Sequence, residues 1–395
     1  MKMKNIIKKQ QKTIFIGFMS VALFIICICT VCTAYAADKD NAKTPVDIPG
    51  LTYDHSMELS YAEEFSVDYY NDGYALITID QEGQFLVVPE GKKAPKGLEK
   101  DITVIQQPLN NIYLVATSAM DLFRAIDGID SIRLSGTKED GWYIQEAKDA
   151  MESGKMIYAG KYNAPDYELI LDEGCGLAIE STMIHHNPEV EEKLEQFGIP
   201  VMVERSSYES HPLGRTEWMK LYAVLLGKED VAEKAFKEQT DKLDKVLTSD
   251  DKDTGKTVAF FYINSTGAVN VRKNGDYVSN MIELAGGNYA LDDAQTASTS
   301  GSSVTLEMER FYATAKDADI IVYNGTIDES VATLNDFVGK NALLSQFKAV
   351  KNGNVWVTSA DMYQQMTSTA DIIDELHGAF TGDDASDFHY LRKLG

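Results

Sequence analysis

Apolar and polar residues alternate in short runs in the part of the chain that follows residue 50. Three such runs, FSVDYY, YALITID and QFLVVPE, lie within residues 53–88 and are separated by Asp72-Gly73 and Glu82-Gly83. A period of two places every second side chain on one face of a strand, and Asp-Gly pairs are typical of tight hairpin turns. The pattern predicts a meander of β-hairpins, preceded by a polar tether at residues 38–46.

From residue 108 the pattern changes. Short continuous apolar runs, typical of buried strands, alternate with segments whose apolar residues recur every three or four positions. This order predicts a parallel sheet covered by helices on both faces. Gly128 and Gly198 are expected to end helices, and Ala164-Pro165-Asp166 to begin one. We expect strands at residues 112–116, 131–134, 176–179 and 199–203, and helices at 120–128, 146–152, 164–171 and 188–197.

A longer helix is predicted at residues 230–248, near the middle of this region. Its apolar residues form one stripe, with lysines and acids on the other faces, and Gly227 is expected to end a preceding helix at 217–226. We expect this helix to be a rigid strut that joins two lobes. The alternative is an ordinary surface helix of one large domain. The stripe consists of Val231, Ala232, Ala235, Phe236, Leu243, Val246 and Leu247.

The same alternation returns after the strut, so the second half of the chain is predicted to form a second αβ lobe. We expect strands at residues 257–263, 320–323 and 355–357, a hairpin-like return at 269–277, and helices at 278–284, 306–315, 338–347 and 368–379. The acidic stretch 381–387 is expected to be mobile. The predicted divisions are a tether and β-hairpin extension at 37–107, a first lobe at 108–227, a linker helix at 228–250 and a second lobe at 251–395.

The N-terminal residues have the pattern of a secretory signal peptide at 1–36. Five lysines precede an apolar run at 13–31, and Ala34-Tyr35-Ala36 is a small-x-small cleavage site. The run is long enough that an uncleaved membrane anchor is the alternative. Three cysteines also invite a lipoprotein hypothesis, although none follows a Leu-x-small pattern, so the form of anchoring stays open. They are Cys27, Cys29 and Cys32.

Charge and cysteine content limit the function further. The signal peptide holds five of the 37 basic residues and none of the 61 acidic ones, so 32 basic and 61 acidic residues give the rest a net charge of −29. Such a balance disfavours nucleic acid and anionic lipid as partners and suits a secreted, extracytoplasmic protein. Only Cys175 remains after residue 36, which excludes an intrachain disulfide and a cysteine metal cluster in the mature chain.

Four stretches, taken in order, resemble the helix-linked substrate-binding proteins of ABC importers, which bind iron-siderophores, haem and cobalamin. They are NIYLVATSAMDLFRAIDGIDSI, DYELILDEGCGLAIES, YVSNMIELAGGNY and MERFYATAKDADIIVYNG. The resemblance covers about residues 108–380 and leaves out the predicted hairpins. It implies an α/β fold of two lobes with mainly parallel sheets, joined by one long α-helix, with the ligand cleft between them.

The resemblance also implies how such a protein meets its transporter. In the family, one glutamate on each lobe, early on a helix that precedes a buried strand, docks into the ABC permease. Glu168 and Glu309 occupy such positions, with Glu307 as the competing choice in the second lobe. Two distant carboxylate–guanidinium pairs would fix the orientation of docking. The partners implied are permease subunits and a small ligand, and we expect a monomer.

The ligand site is expected where strand ends of the two lobes face each other. Basic residues at loop positions of an acidic protein suggest an anion, and Arg205, Arg215, Arg272 and Lys273 are such residues. No intrinsic cofactor is expected, and the ligand implied by the resemblance is a metal chelate: a ferric siderophore, haem or a corrinoid. The candidate ligand-binding residues are Ser118, Trp142, Tyr143, Ser181, Met183, His185, Tyr208, Arg215, Arg272, Tyr277 and Tyr363.

Two other hypotheses belong to different classes. His185, His186 and His211, with Glu180 or Glu209, could form a zinc or manganese site in a metal importer component, although no His-x-x-His or His-x-x-x-His pattern is present. A secreted hydrolase would need a nucleophile such as Ser118 or Ser181, yet neither has an obvious histidine partner and the chain has no Gly-x-Ser-x-Gly motif. We therefore expect a binding protein and no enzyme.

Overall fold

The computed structural model of the chain describes residues 44–248, 253–292 and 302–395. The predicted signal peptide lies outside the described residues. Residues 48–395 form one compact unit, and the few described residues before it, 44–47, have no regular secondary structure. None of the helices in these described ranges has the length and apolar character needed to cross a membrane.

The predicted hairpins form a five-stranded sheet in the order β1-β2-β3-β4-β5. Strands β1 to β4 are antiparallel, as the alternation predicts, and Asp72 and Gly73 both have positive φ, as the tight β2–β3 turn requires. The fifth strand is parallel to β4, so the sheet is not a pure meander. The strands are β1 Tyr53–Ser56, β2 Phe65–Tyr70, β3 Ala75–Ile79, β4 Gly83–Val88 and β5 Ile102–Gln106.

The first lobe is built on a parallel sheet in the order β12-β11-β6-β7-β8. The helix predicted from Ala164 begins three residues later, because residues 164–165 pair with residues 160–161 and Asp166 caps the helix by accepting the Leu169 N–H at 3.1 Å. The strands are β6 Ile112–Leu114, β7 Ile132–Ser135, β8 Ile157–Tyr158, β9 Gly160–Lys161, β10 Ala164–Pro165, β11 Leu177–Ser181 and β12 Val201–Glu204. The helices are α1 Ala119–Ala125, α2 Gln145–Glu152, α3 Tyr167–Asp172 and α4 Pro188–Gln196.

The second lobe holds a seven-stranded mixed sheet in the order β16-β14-β13-β17-β18-β19, with β15 beside β13. Its centre, β13-β17-β18, is parallel as predicted, whereas β14, β16 and β19 pair antiparallel. The strands are β13 Lys256–Ile263, β14 Val269–Arg272, β15 Gly287–Tyr289, β16 Ser303–Leu306, β17 Ile320–Tyr323, β18 Val355–Thr358 and β19 Leu391–Lys393. The helices are α7 Tyr277–Leu284, α8 Met308–Ala315, α9 Leu334–Lys340, α10 Lys348–Lys351 and α11 Thr369–Thr381.

Two helices join the lobes: α5, Pro212–Leu226, and α6, Glu229–Leu247. The predicted strut corresponds to α6, and the preceding helix α5 is more deeply buried, since every residue from Pro212 to Leu225 is buried. It packs against α1 of the first lobe, α7 of the second lobe and α6. Helix α6 is amphipathic and buries one face against α5 and α11. A helix buried on all sides is a core element, so α5 anchors both lobes.

The N-terminal sheet is attached to this central helix by two buried carboxylates. Glu217 accepts the backbone N–H groups of Ser60, Tyr61 and Ala62 at 2.8 to 2.9 Å. Glu209 accepts those of residues 63 and 64 at 2.8 and 3.1 Å. Five consecutive backbone donors are thereby satisfied without water, and the extension becomes part of the same apolar core as the first lobe.

Candidate functional site

The carboxyl ends of β6, β11 and β12 lie at one edge of the first lobe, and those of β13, β17 and β18 at one edge of the second. Ligands of parallel α/β sheets bind at such edges. Helix α5 begins at this edge of the first lobe and reaches helix α7 of the second. The space between α5, α7 and the segment after β18 is the interlobe cleft.

Arg215 of α5 lies in this cleft and is only 7% exposed. Its guanidinium carbon stands 3.8 Å from the ring centre of Tyr277, the first residue of α7. The buried Nε atom has no hydrogen-bond partner, and within the described residues the side chain forms no ion pair. The Glu204 carboxyl interacts electrostatically with Arg215 but forms no ion pair with it. A buried cation without a directly paired anion is costly, so this stack is suited to receive a negatively charged group.

Arg272 approaches the same aromatic ring from the second lobe, with its guanidinium carbon 4.8 Å from the ring centre of Tyr277. In contrast to the first arginine, it has a carboxylate partner, because its Nε donates to Asp276 Oδ2 at 2.6 Å. Burial alone would lower the pKa of Arg272, but Tyr277 and Asp276 outweigh burial and raise it. Its charge is therefore permanent and already paired with a carboxylate.

Tyr363 completes the polar lining of the cleft. Its hydroxyl accepts a hydrogen bond from Asn324 Nδ2 at 2.9 Å, while the Asn324 Oδ1 atom is buried without a partner. Burial, followed by the influence of Tyr277, raises the pKa of Tyr363, so the phenol stays neutral. Four of the predicted residues thus lie close together: Arg215, Arg272, Tyr277 and Tyr363.

A further carboxyl group lies at the floor of the first lobe. Glu204, at the end of β12, is buried, and burial raises its pKa although hydrogen bonds from Ser206 and the charge of Arg215 oppose the effect. The Ser206 N–H donates to its Oε1 at 3.0 Å, and the Ser118 hydroxyl lies 3.4 Å from Oε2. Ser118 therefore contacts a buried acid and is not among the residues that line the interlobe cavity, so its role in ligand binding stays a prediction.

The cleft is closed in this structure. The cavity between the lobes has a volume of about 10 Å³, roughly the space of one water molecule. Side chains of both lobes fill the remaining space. The cavity is lined by Pro212, Arg215, Tyr277, Met281, Met362, Tyr363, Gln365, Met366, Thr369 and Ile372.

Several residues that are predicted to bind the ligand lie elsewhere in the fold. Trp142 belongs to the core, at 1% exposure, its Nε1 donates to the Ser135 hydroxyl at 3.2 Å, and it is not among the residues that line the interlobe cavity. Tyr143 is exposed, and its backbone N–H donates to Gln364 of the second lobe at 2.9 Å. Ser181 and Met183 lie in the turn after β11, where the serine hydroxyl accepts the methionine N–H and the methionine side chain is exposed.

The basic residues near β12 contact acidic residues of the N-terminal sheet. Arg205 donates to Glu64 at 2.7 Å and to Glu82 at 3.3 Å, and its guanidinium stacks on Tyr208 at 4.3 Å. The Nε2 atom of His185 lies 3.2 Å from the same Glu82 carboxylate. Arg205 is therefore already neutralised, and neither Tyr208 nor His185 is among the residues that line the interlobe cavity.

The three histidines considered as metal ligands are held in separate surroundings. His186 is exposed, and His211 caps α5, where its Nδ1 accepts the Leu213 N–H at 3.1 Å and its ring stacks on Tyr61. Burial lowers the pKa of His211. Across the ranges that the structure describes, no group of three or more His, Cys, Asp or Glu side chains is arranged to hold a metal ion.

The three candidate docking glutamates are exposed at helix starts. Glu168 lies in the first turn of α3, which precedes β11, and Glu309 in the first turn of α8, which precedes β17. Glu307 stands directly before α8 and makes no capping hydrogen bond with its side chain. The expected positions are thus observed, while the docking role stays a prediction.

Sequence reasoning missed two polar groups of the cleft. Asp276 pairs with Arg272 and also caps α7 by accepting the N–H of Val278 at 3.0 Å, and an aspartate before an apolar helical run is a recognisable capping signal. Asn324 directly follows the buried strand β17, so a polar residue after an apolar run was the available signal for it.

Comparison with known proteins places the chain among binding proteins. A family model described as periplasmic binding protein matches residues 124–362. An uncharacterized lipoprotein of Methanocaldococcus jannaschii is 26% identical over 392 residues, covering 91% of each chain. A second uncharacterized lipoprotein of that organism is 24% identical, covering 84% of this chain and 88% of its own length.

Solved structures resemble the fold. The ABC-type Fe³⁺-hydroxamate transport system protein of Saccharomonospora viridis has a TM-score of 0.55 at 18% identity, covering 69% of this chain and 93% of that one. The periplasmic haem-binding protein of Vibrio cholerae has a TM-score of 0.52 at 16% identity, covering 68% of this chain and 98% of its own. Both likenesses leave about three tenths of this chain without a counterpart.

Proposed function

The chain belongs to the periplasmic binding protein family, and from this premise we propose that it binds an anionic metal chelate between its two lobes and delivers it to an ABC permease. The chelate would be a ferric siderophore, haem or a corrinoid. The protein itself would carry out no chemistry. Binding, presentation and release would be its whole task.

The observation that carries the proposal is the unpaired guanidinium of Arg215. It is buried in the interlobe cleft, stacked on Tyr277, with no ion pair within the described residues. Burial of an unpaired charge destabilises a folded protein, and a ligand anion would relieve this penalty. The planar guanidinium matches carboxylate and other planar anions in a bidentate way, which gives the contact direction as well as strength.

The choice of a metal chelate has separate support. Of the similar solved structures, one is described as a periplasmic haem-binding protein and another as an ABC-type Fe³⁺-hydroxamate transport system. Ligands of this kind combine anionic groups with large apolar or aromatic surfaces. The rings of Tyr277 and Tyr363 and the side chains of Met281 and Met362 supply apolar walls beside the two arginines. A charged clamp with apolar walls fits such a molecule.

Location and partner follow from the same family. The curated relatives are described as lipoproteins, which supports attachment to the outer face of a membrane. The exposed glutamates at the starts of α3 and α8, Glu168 and Glu309, would contact the permease on the two lobes. Both lie on helices and outside the interlobe cavity, so a ligand and a permease could be bound at once.

A binding panel tests the proposal. Purified protein is titrated with haemin, cyanocobalamin, a ferric hydroxamate and a ferric catecholate, and binding is followed by visible absorption and native mass spectrometry. The proposal predicts a 1:1 complex with one class of chelate at micromolar affinity or better. Failure of all four probes to bind at millimolar concentration would contradict it. Native mass spectrometry of protein isolated from its producing cells identifies the physiological ligand directly.

A further inference from the structure

The segment at residues 359–365 covers the closed cleft. It leads from the end of β18 to a 3-10 turn, Met366–Ser368, and contains no helix or strand. Met362 and Tyr363 point into the cavity of about 10 Å³ beneath it. Ser359 and Ala360, at the start of the segment, also help to line an open groove of about 660 Å³. The segment therefore borders a nearly filled cavity through its middle and an open groove through its start.

The amide of Gln364 links this segment to the opposite lobe. Its Nε2 donates to the carbonyl oxygen of Gly141 at 2.9 Å, and its Oε1 accepts the N–H of Tyr143 at 2.9 Å. Both partners are backbone groups of the first lobe, in the stretch after β7. Among the described residues, Gln364 is the member of this segment whose side chain hydrogen-bonds the first lobe.

The segment is fixed at both ends and is also held between them. The Ser359 N–H donates to the carbonyl of Tyr390 at 2.9 Å, and the Met366 carbonyl accepts the Thr216 hydroxyl at 3.0 Å. Between these points Asp361 pairs with His389 at 2.7 Å, and Tyr363 accepts from Asn324 at 2.9 Å, both within the second lobe. When the two Gln364 bonds are released, the middle therefore loses its side-chain hydrogen bonds to the first lobe and stays attached to the second.

We propose that residues 359–365 form a gate over the ligand site and that Gln364 is its latch. The role as a gate rests on the proposed function, because a closed cleft matters only when a ligand must enter it. A cavity of about 10 Å³ admits no chelate, so a segment must move before Arg215 can meet an anion. The 359–365 segment lacks regular structure, borders an open groove at its start and is attached to the first lobe by the two side-chain hydrogen bonds of Gln364, as such motion requires.

The energetics of the latch suit a gate. Two hydrogen bonds to backbone groups contribute modestly to stability in water, so the closed state is favoured without being permanent. A protein whose binding-competent form is a minor population has an apparent affinity reduced by that fraction. Loss of the latch therefore enlarges the open population and improves the apparent affinity by the same factor.

Hydrogen exchange without ligand tests the latch itself. We compare the wild type with Gln364→Ala and with Gln196→Ala, the matched control, since Gln196 is an exposed amide at the end of α4 and does not line the cavity. Amides of residues 360–366 are expected to exchange at least about threefold faster in Gln364→Ala and at the wild-type rate in Gln196→Ala. Equal exchange in all three proteins would overturn the latch.

Ligand binding supplies the second readout. For whichever of haemin, cyanocobalamin, ferric hydroxamate or ferric catecholate binds the wild type, Gln364→Ala should bind about three- to tenfold more tightly and associate faster. Unchanged affinity and association rate overturn the gate and leave the proposed function standing. If no probe binds the wild type, the proposed function fails, and the exchange experiment still decides whether Gln364 holds the segment closed.

Discussion

The carboxylate of Glu217 accepts a hydrogen bond from the backbone N–H of Tyr61 at 2.8 Å, although 155 residues lie between them in the chain. Glu217 lies in the centre of α5 and is fully buried, and Tyr61 belongs to the loop between β1 and β2. The contact joins the N-terminal sheet to the helix that holds the two lobes. The extension is therefore a structural part of the binding unit.

This contact leads to a stability prediction with a matched control. Lys220 is buried and pairs with Glu217 at 3.2 Å and with the exposed Glu233 at 3.0 Å. Glu217→Ala removes three backbone hydrogen bonds and half of the charge compensation of the lysine, so urea unfolding should show a loss of about 3–5 kcal/mol. Glu233→Ala, which alters the exposed partner, should lose less than about 1 kcal/mol. Similar losses in the two variants would mean that burial of Glu217 is not what stabilises the extension.

A second prediction concerns pH. Glu180, on β11, is fully buried with neither carboxyl oxygen hydrogen-bonded, and burial, with a smaller effect of Glu191, raises its pKa from 4.5 to about 8. In the unfolded chain the group ionises near its ordinary pKa. Between pH 4.5 and 8 the folded state therefore keeps a proton that the unfolded state has released, and stability falls as the pH rises.

Glu180→Gln removes this pH dependence, because an amide does not ionise. The unfolding free energy of the variant minus that of the wild type should increase by on the order of 3–5 kcal/mol from pH 4.5 to pH 8. Urea unfolding at both pH values measures the gain. Glu192→Gln, at an exposed position of α4, is the control and should follow the wild type. A constant difference between Glu180→Gln and the wild type across the window would show that Glu180 is already ionised in the folded protein.

The third prediction concerns docking. If Glu168 and Glu309 each pair with a permease arginine, Glu168→Lys and Glu309→Lys should weaken assembly with the transporter by about 2–5 kcal/mol. Affinity for the ligand should be unaltered, since both residues are exposed on helices outside the cavity. Uptake assays and pull-down with the permease in detergent measure the two effects.

Two further variants near the candidate glutamates complete the docking test. Glu307 lies one residue before α8. If Glu307→Lys weakens docking and Glu309→Lys does not, the second contact lies two positions earlier than proposed. Asp172→Lys, at the far end of α3, adds the same charge change without altering Glu168. Normal import by both Glu168→Lys and Glu309→Lys would refute the docking role.

The lobes and their parallel centres could be predicted from the sequence because they depend on local patterns. Apolar runs such as IYLVA and TVAFFYI identify buried strands, and Gly128 and Gly227 mark helix ends. Strands β5, β15 and β19 escaped prediction, because each is short and forms by pairing with a strand that is already in place. Such pairing is a property of the assembled sheet rather than of the local sequence.

The centrality of α5 could not be predicted for a related reason. Its sequence contains Arg215, Glu217 and Lys220, which suggest a helix with a polar face. Each charged group is instead buried: Glu217 accepts from residues 60–62, Lys220 pairs with Glu217 and Glu233, and Arg215 stacks on the Tyr277 ring of the second lobe. Local composition shows that polar groups are present, whereas only the fold shows whether they are paired.

The candidate site could likewise be predicted from the sequence only in part. Arg215, Arg272, Tyr277 and Tyr363 were nominated because they follow or precede strand ends, and the fold brings them to one ring. Arg205 met the same criterion, yet Glu64 and Glu82 of the N-terminal sheet neutralise it. The sequence could not reveal this pairing, because the family resemblance did not include the extension that supplies both carboxylates.

The central claim is that the unpaired guanidinium of Arg215 receives an anionic group of the ligand. Equilibrium titration of the wild type, Arg215→Gln and the exposed control Arg310→Gln with the chelate that the wild type binds tests it most directly. The account predicts that Arg215→Gln weakens binding by about 1–3 kcal/mol, while Arg310→Gln binds as the wild type does. Equal dissociation constants for all three proteins would contradict the claim.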